Sequence, residues 1–176
     1  MDEIVKLAIK KWPNVPACYG WLGLDARGDW YMRDEETQTK GAFTESKGTR
    51  LVHRKLIEFI NRNYQQDSLG RYYFQNGPQK VYVELEVTPW VYRFNHNNQI
   101  VTQTEIVADV LQTYIDELGR AYIDTNLGIG LVHTMDMYAF TIQMDEQGWQ
   151  LKDLTVDKLE NFFGFIKSPA KDKASH

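Results

Sequence analysis

A chain of 176 residues is long enough to bury a hydrophobic core without disulfides or metals, and it is expected to form one large domain or two small ones. Its formal net charge of −4 gives no global attraction to nucleic acid, so nucleic acid is not an expected partner. The single cysteine, Cys18, excludes an intramolecular disulfide and fits a reducing compartment. No apolar run is long enough to span a membrane and residues 1–12 lack a signal-peptide core, so the sequence predicts a cytoplasmic protein.

The first part of the chain is predicted to form two helices separated by turns and polar loops. Apolar residues recur at helical spacing over residues 2–12, which predicts an amphipathic helix that Pro13 ends. Residues 33–48 are polar and contain two glycines, so they are expected to form a mobile loop. Apolar residues at helical spacing then predict a second helix over residues 51–64.

A four-residue pattern, Asp-x-x-Gly, recurs along the chain and is followed within a few residues by an aromatic side chain. The pattern suits a type I turn followed by a glycine in the left-handed conformation, a common loop of β-hairpins. It therefore predicts sheets that are built from hairpins and are mostly antiparallel. The four copies are Asp25–Gly28, Asp67–Gly70, Asp116–Gly119 and Asp145–Gly148.

Residues 67–94 hold the densest cluster of aromatic side chains and read as an antiparallel meander of three strands. Apolar and polar residues alternate over residues 81–87, which predicts a half-buried strand. Asn76-Gly77 suits a tight reversal before that strand. A proline interrupts the ladder after it, because proline has no N–H to donate. The third strand is predicted at residues 90–94, so this stretch is expected to end the first half of the molecule.

The last part of the chain is predicted to form short strands and two helices. Strands are predicted within residues 99–115, with a break near Glu105, and at residues 120–124 and 149–151. A helix is predicted between the last two of these strands, and Thr155 is expected to cap another after them. The apolar face of the first of these helices is assigned to Met135, Tyr138, Ala139 and Ile142.

An internal repeat underlies the expected fold. The triplets Leu51-Val52-His53 and Leu131-Val132-His133 each follow an Asp-x-x-Gly turn, an aromatic residue and a loop, and each precedes a helix. The shared order favours a duplication and predicts an α+β fold of two related halves, each a mostly antiparallel curled sheet packed with a helix. The expected divisions are residues 1–20 (N-terminal helix and loop), 21–95 (first half), 96–166 (second half) and 167–176 (disordered tail).

Several of these motifs together resemble a family of uncharacterised bacterial proteins, the domain-of-unknown-function family numbered 1285, or a close relative of it. The resemblance implies a duplicated core whose C-terminal half is similar to a pleckstrin-homology fold. It also implies a ligand site at the interface between the halves, for a nucleobase-containing molecule, and a role in signalling. The motifs are Gly28-Asp-Trp-Tyr31, the helix at 51–64, Asp67-x-x-Gly70-x-Tyr72-x-Phe74, the run from Gly77 to Pro89, and the segment 122–139.

Two pairs of residues, one of glutamates and one of glycines, have both a chemical and a structural interpretation. Glu84 and Glu86 share a strand face with Tyr82, and paired carboxylates can do acid–base work, but charges that alternate on a solvated strand face are far commoner, and this is the favoured interpretation. Gly128-x-Gly130 is placed between a strand and a helix, where backbone N–H groups can approach a phosphate. The third glycine of a dinucleotide fingerprint is missing, which favours a tight turn.

Neither the histidines nor the cysteine carries a clear catalytic or metal-binding signal. His53 and His133 occupy equivalent repeat positions, but no further ligand set accompanies them, so helix capping or packing is the favoured role. Cys18 has no histidine near it in sequence and is interpreted as an inert buried thiol. We therefore expect no metal, no cofactor and no assigned catalytic residue.

Three functions remain open at this stage. The first is a binding or signalling-associated module for a small, nucleobase-like ligand, because basic and aromatic residues are interleaved around residues 50–73. The second is a protein-interaction module that binds a peptide along a strand edge, and the third is an enzyme of unknown class. The sequence does not indicate the oligomeric state. The residues expected to stack on or contact the ligand are Arg71, Tyr72, Tyr73, Lys80, Tyr82, Trp90 and His133.

Overall fold

A computed structural model of the chain describes residues 1–174, which form two compact units. Unit 1 comprises residues 1–25, 29–86 and the described residues from 165 onward, and unit 2 comprises residues 26–28 and 87–164. The chain therefore leaves unit 1 briefly at residues 26–28 and again after Glu86, and it returns to unit 1 at Phe165. These boundaries differ from the expected division at residue 95.

Unit 1 is a six-stranded sheet with four helices. The strand order is β3-β2-β1-β6-β5-β4, and every neighbouring pair is antiparallel except β1 and β6. The strands are β1 (Cys18–Leu24), β2 (Trp30–Met32), β3 (Thr49–Arg50), β4 (Tyr64–Gln66), β5 (Tyr72–Asn76) and β6 (Gln79–Leu85). The helices are α1 (Glu3–Lys11), α2 (Glu35–Thr39), α3 (Arg54–Arg62) and α6 (Pro169–Ala174).

Unit 2 is a second six-stranded sheet, in the order β12-β9-β10-β11-β7-β8. Two of its neighbouring pairs, β11 with β7 and β12 with β9, are parallel, and the others are antiparallel. The strands are β7 (Trp90–Phe94), β8 (Ile100–Thr102), β9 (Val110–Asp116), β10 (Ala121–Thr125), β11 (Gly128–Val132) and β12 (Leu151–Leu154). The helices are α4 (Met137–Gln147) and α5 (Leu159–Phe163), each preceded by a 3₁₀ turn, at Thr134–Asp136 and Val156–Lys158.

The predicted fold class is confirmed, since two mixed α+β units each combine one sheet with helices. Each unit contains an antiparallel β-meander, β1-β2-β3 and β9-β10-β11, that leads into a helix begun by a histidine. This shared order supports the predicted repeat. The pleckstrin-homology likeness of the second half stays a prediction.

Three of the four Asp-x-x-Gly patterns form hairpin loops, as predicted. Gly28, Gly70 and Gly119 have φ angles of 83°, 81° and 75° and join β1 to β2, β4 to β5, and β9 to β10. The fourth prediction is wrong, because Gly148 instead ends helix α4 in the left-handed conformation. The loop that joins β7 to β8 has a similar arrangement without aspartate or glycine: the Asn95 side chain accepts hydrogen bonds from the N–H groups of Asn97 and Gln99.

The predicted three-stranded meander is only partly correct. Strands β5 and β6 form the expected hairpin around Asn76-Gly77. The third strand, β7, belongs to unit 2, where it pairs with β8 and β11. The proline-containing link therefore separates two sheets and does not continue one ladder.

Two segments predicted to be mobile or disordered are ordered in the structure. Residues 33–48 contain α2, and the side chain of Arg33 donates to the carbonyl groups of Gly20, Gly41 and Ser46, while Phe43 is buried. The tail from Lys167 is held by backbone bonds, because the Leu85 N–H donates to the Lys167 carbonyl, and it continues into α6. The last two residues of the predicted tail lie outside the described residues.

The apolar face predicted for the helix after β11 is wrong. Met135 and Tyr138 are 71% and 80% exposed, whereas Phe140 and Gln143 are buried. The tight turn favoured for the glycine pair holds for Gly128, which pairs with Thr125 across the hairpin between β10 and β11, whereas Gly130 lies inside β11 and pairs with Ile123 and Trp90. Both glycines therefore belong to β11, which continues to Val132 before the 3₁₀ turn at Thr134–Asp136.

Candidate functional site

Four of the seven predicted ligand-binding residues lie together on one face of the unit 1 sheet. Tyr73 and Tyr82 are paired across β5 and β6, with their ring centroids 5.8 Å apart. The Lys80 ammonium lies 4.6 Å from the Tyr73 ring centroid, and the Arg71 guanidinium lies 4.8 Å from that of Tyr82. Basic and aromatic side chains that the sequence predicted as ligand contacts therefore lie against one another in the structure.

The polar groups of this cluster bond mainly to one another. Asp67 pairs with Arg71 at 2.8 Å and accepts the Tyr82 hydroxyl at 2.9 Å. Burial and that hydrogen bond raise the pKa of Tyr82, and the bonds from Arg71 and Tyr82 lower the pKa of Asp67 although burial opposes this. Tyr73 and Tyr82 are 7% and 4% exposed. The polar groups of the cluster therefore form a buried network among themselves.

The C-terminal segment, residues 165–174, covers this face of the sheet. Tyr19 stacks on Tyr82 at 4.6 Å, and the Lys173 ammonium lies 4.5 Å from the Tyr19 ring. Glu84 accepts hydrogen bonds from Ser168 Oγ at 2.5 Å and from the Ala170 N–H at 3.1 Å. Burial raises the pKa of Glu84, which is only 5% exposed. The solvated carboxylate face predicted for β6 is therefore wrong, because the segment that follows unit 2 packs on it.

The other three predicted residues lie elsewhere. Tyr72 is buried on the opposite face of the same sheet, 5.3 Å from the Tyr64 ring. Trp90 and His133 belong to unit 2, where the Trp90 indole N–H donates to the Leu127 carbonyl. The structure thus brings four of the seven together and separates these three from them.

Both repeat histidines cap helical turns, as the sequence favoured. His53 Nδ1 accepts the N–H of Leu56 at the start of α3, and His133 Nδ1 accepts the N–H of Met135. No group of three or more His, Cys, Asp or Glu residues in the described chain is arranged to hold a metal ion. Within residues 1–174, no helix is both long and apolar enough to cross a membrane.

An apolar cavity of about 250 Å³ lies in unit 1, between α3 and the sheet. Sequence reasoning missed it. Its walls carry no charged side chain, and their hydrogen-bonding groups are one amide, one indole N–H and one thiol. The lining residues are Cys18, Trp21, Leu22, Met32, Leu56, Ile60, Phe74, Asn76 and Val81.

A β-bulge in β1 shapes this cavity. Cys18 pairs with Val81 and Leu22 pairs with Val83, so β1 uses two more residues than β6 over the same distance. Gly20, within this irregularity, has a φ of 80°. Because the alternation of side chains is interrupted, Cys18, Trp21 and Leu22 can line one cavity. Gly20 falls within residues 1–20, which were predicted as helix and loop, so no strand and no bulge was expected there.

The mouth of the cavity exposes large apolar groups. Trp21, Met32 and Leu56 are 38%, 45% and 38% exposed, whereas Ile60 behind them is buried. An accessible wall of aromatic, aliphatic and sulfur-containing groups can bind an apolar molecule by burial and stacking. It offers no charge for acid–base chemistry.

A comparison with models of protein families identifies the family of this chain. The model of the DUF2944 family, described as "Protein of unknown function (DUF2946)", matches residues 1–170. The chain belongs to this family. The expected membership of an uncharacterised domain-of-unknown-function family is therefore confirmed. A search of curated proteins returned no match.

Two solved structures are similar to the chain. One is a DUF1285 family protein from Shewanella baltica OS155, with 17% identity, a TM-score of 0.46, and 70% of this chain and 91% of that chain covered. The other is a DUF1285 family protein from Silicibacter pomeroyi DSS-3, with 13% identity, a TM-score of 0.49, and 82% and 84% covered.

Proposed function

We propose that this protein is a non-catalytic binding module whose site is the apolar cavity of unit 1. The observation that carries the proposal is a cavity of about 250 Å³ with uncharged walls and an exposed apolar mouth. Concave apolar sites with a few polar groups are the usual places where proteins bind small molecules. The predicted cluster around Arg71 and Tyr82 does not have this form, since its groups are buried and bonded to one another.

The cavity favours a small and mainly apolar ligand. Its volume is below the roughly 300–1,000 Å³ of sites for drug-sized molecules, and above the roughly 150 Å³ of an apolar cavity that binds benzene. Trp21 and Phe74 supply ring faces and edges, and Asn76 supplies an amide. A single aromatic ring or a short aliphatic chain with one polar group matches these walls better than a nucleobase, whose several polar edges need more partners.

Titration with small aromatic and aliphatic compounds tests this proposal, with nucleotides included as the ligand class expected from sequence. Binding is expected to change tryptophan emission, because Trp21 lines the mouth, and to raise the melting temperature. Mass action gives a stabilisation of about 2.7 kcal/mol at a hundredfold excess over Kd. No response to any apolar compound would contradict the proposal, and a response to nucleotides alone would favour the ligand class expected from sequence.

A matched pair of substitutions at Cys18 locates the binding site. Cys18→Phe is expected to fill the cavity and abolish the response, whereas Cys18→Ala leaves the volume open and is expected to retain it. Both variants require a folded far-UV spectrum. Equal binding by both would place the ligand outside this cavity.

A second candidate function is peptide binding along the edge of the unit 2 sheet. Strand β12 is the outermost strand, and its first three residues are exposed. A cavity of about 250 Å³ beside it is lined by Tyr114, Asp153, Leu154, Thr155, Lys158 and Phe162. An edge strand supplies backbone hydrogen bonds and an adjacent cavity supplies side-chain selectivity, which is the arrangement of strand-addition modules.

Selection from a displayed peptide library tests this second candidate. A bound peptide is expected to slow amide hydrogen exchange at residues 151–154. Phe162→Ala is expected to weaken binding, while Leu118→Ala, at the turn between β9 and β10, is the exposed apolar control. Enrichment of no peptide, or equal weakening by both variants, would count against this function.

A further inference from the structure

Helix α1 presents an apolar surface to solvent. Ile4 and Leu7 are 73% and 66% exposed, and Trp12, at the C-cap, is 50% exposed. Residues three apart lie on the same side of a helix, so Ile4 and Leu7 form one stripe. This stripe is separate from the cavity of the proposed function.

The stripe faces outward because the opposite side of α1 is anchored. Val5 is only 1% exposed. The Asp2 N–H donates to Asn63 Oδ1 at 2.9 Å, and the Asp2 carboxylate pairs with Arg62 at 3.2 Å. These contacts attach the start of α1 to the end of α3 and leave Ile4 and Leu7 uncovered.

The charges on α1 are of the opposite sign to the chain as a whole. The chain has 20 basic and 24 acidic residues, but Lys6, Lys10 and Lys11 outnumber Glu3 within the helix. Lys6 pairs with Glu3 at 2.6 Å. The Lys11 ammonium lies 4.4 Å from the Trp12 ring centroid, so a cation and an amphipathic ring adjoin the stripe.

We propose that α1 docks the protein on an anionic lipid surface. Apolar side chains flanked by lysines are the composition of helices that lie in the membrane interface. Ile4, Leu7 and the Trp12 ring enter the boundary between head groups and acyl chains, and the lysines contact lipid phosphates. A second copy of the protein fits this surface less well, because pairing the same helices brings like-charged lysines together.

Co-sedimentation with lipid vesicles tests the proposal on the whole chain. The protein is expected to bind vesicles of equal parts phosphatidylglycerol and phosphatidylcholine, and to bind vesicles of phosphatidylcholine alone on the order of tenfold more weakly. Salt at about 1 M, where the Debye length is about 3 Å, is expected to weaken the binding to the anionic vesicles. Trp12→Phe is expected to remove most of the blue shift in tryptophan emission that accompanies binding.

Two double substitutions separate the apolar contribution from the charged one. Ile4→Ser with Leu7→Ser, and Lys10→Glu with Lys11→Glu, are each expected to weaken binding to anionic vesicles by about tenfold or more. The matched control is Met135→Ser with Tyr138→Ser, which removes exposed apolar groups from unit 2 and is expected to leave binding unchanged. All six positions are exposed, so the fold is expected to persist in each variant.

Four outcomes would overturn the proposal. They are no binding to anionic vesicles, equal binding to neutral vesicles, equal loss in the Met135/Tyr138 control, and a dimer without lipid that the Ile4/Leu7 substitutions dissociate. The last outcome would identify the stripe as an interface between copies of the chain. Each is distinguishable from failure of the cavity proposal, because vesicle binding does not require the Cys18 cavity.

Discussion

The Tyr122 hydroxyl donates to Asp116 at 2.7 Å, and the side chain that accepts it also orders a hairpin loop. Asp116 Oδ1 accepts the backbone N–H groups of Leu118 and Arg120, while Oδ2 accepts Arg120 Nε. Unit 1 repeats this arrangement in the loop from Asp67 to Arg71, with the Tyr82 hydroxyl as the phenolic donor. The shared sequence Asp-x-Leu-Gly-Arg therefore encodes the same network twice.

Removal of the Asp116 carboxylate is expected to destabilise the protein strongly. Asp116→Ala leaves two backbone N–H groups, the Arg120 guanidinium and the Tyr122 hydroxyl without their acceptor, so a loss of about 2–4 kcal/mol in the free energy of unfolding is expected. Urea unfolding measures it. The control is Asp145→Ala in the pattern that does not form a hairpin, where a change within about 0.5 kcal/mol is expected. Similar losses in both variants would refute the structural role of the network.

The buried phenols are expected to resist ionisation. Burial and the hydrogen bond to the carboxylate raise the pKa of Tyr122, and the same causes raise the pKa of Tyr82. Tyr122→Phe is therefore expected to leave the tyrosinate absorbance of the folded protein unchanged at alkaline pH, and to reduce it only after unfolding. Spectrophotometric titration with and without denaturant measures this. A reduced signal in the folded variant would show that Tyr122 ionises in the native state.

The C-terminal segment is expected to contribute to the stability of unit 1. Phe165 is 3% exposed, so Phe165→Ala is expected to cost about 3–5 kcal/mol, the range for large buried aromatic residues. Phe162 is 66% exposed, and Phe162→Ala is expected to cost less than about 1 kcal/mol. Urea unfolding compares the two. Equal effects would mean that residues 165–174 do not pack on the sheet as described.

The buried carboxylate of Glu84 is expected to make stability depend on pH. Because burial raises its pKa in the folded state, the folded protein binds this proton more tightly than the unfolded chain. Its contribution is therefore most favourable at low pH and declines as pH rises above the usual value of 4.5. Glu84→Gln removes this titration while Arg33, Lys171 and Ser168 remain near it.

The stability of Glu84→Gln relative to the unsubstituted protein is accordingly expected to increase as pH rises from about 4.5 to neutrality. Urea unfolding across this range measures the difference, in which the titrations of Asp67 and Asp116 cancel because both proteins contain them. Glu86→Gln is the control, since Glu86 pairs with Lys47, whereas the Ser168 hydroxyl donates to Glu84. A difference that is constant with pH would contradict the raised pKa.

Features that depend on nearby residues were predictable from the sequence. The hairpin loops at Gly28, Gly70 and Gly119, and the histidine caps of the helices after β3 and β11, each involve only a few consecutive residues. The left-handed glycine and the side-chain acceptor select the local conformation directly. The failure at Gly148 shows the limit of this reasoning, because the same left-handed glycine also ends a helix.

The candidate site was less predictable, since it depends on pairing between distant segments. The sequence predicted a cluster of aromatic and basic side chains that includes Tyr73 and Tyr82, but whether this cluster faced a ligand or the C-terminal segment depended on residues 165–174 returning to unit 1. The cavity depended on a bulge between Cys18 and Leu22, which moves side chains without a change in composition.

Local chemistry thus specified the turns, the caps, the internal repeat and the α+β class. Short-range hydrogen bonds and side-chain periodicity favour these features whatever tertiary contacts the segment makes. Tertiary structure alone decided that β7 joins the second sheet, that Glu84 is buried and that Tyr138 is exposed. Strand pairing and burial are set by contacts between residues far apart in the chain, and the same periodic pattern is compatible with several partners.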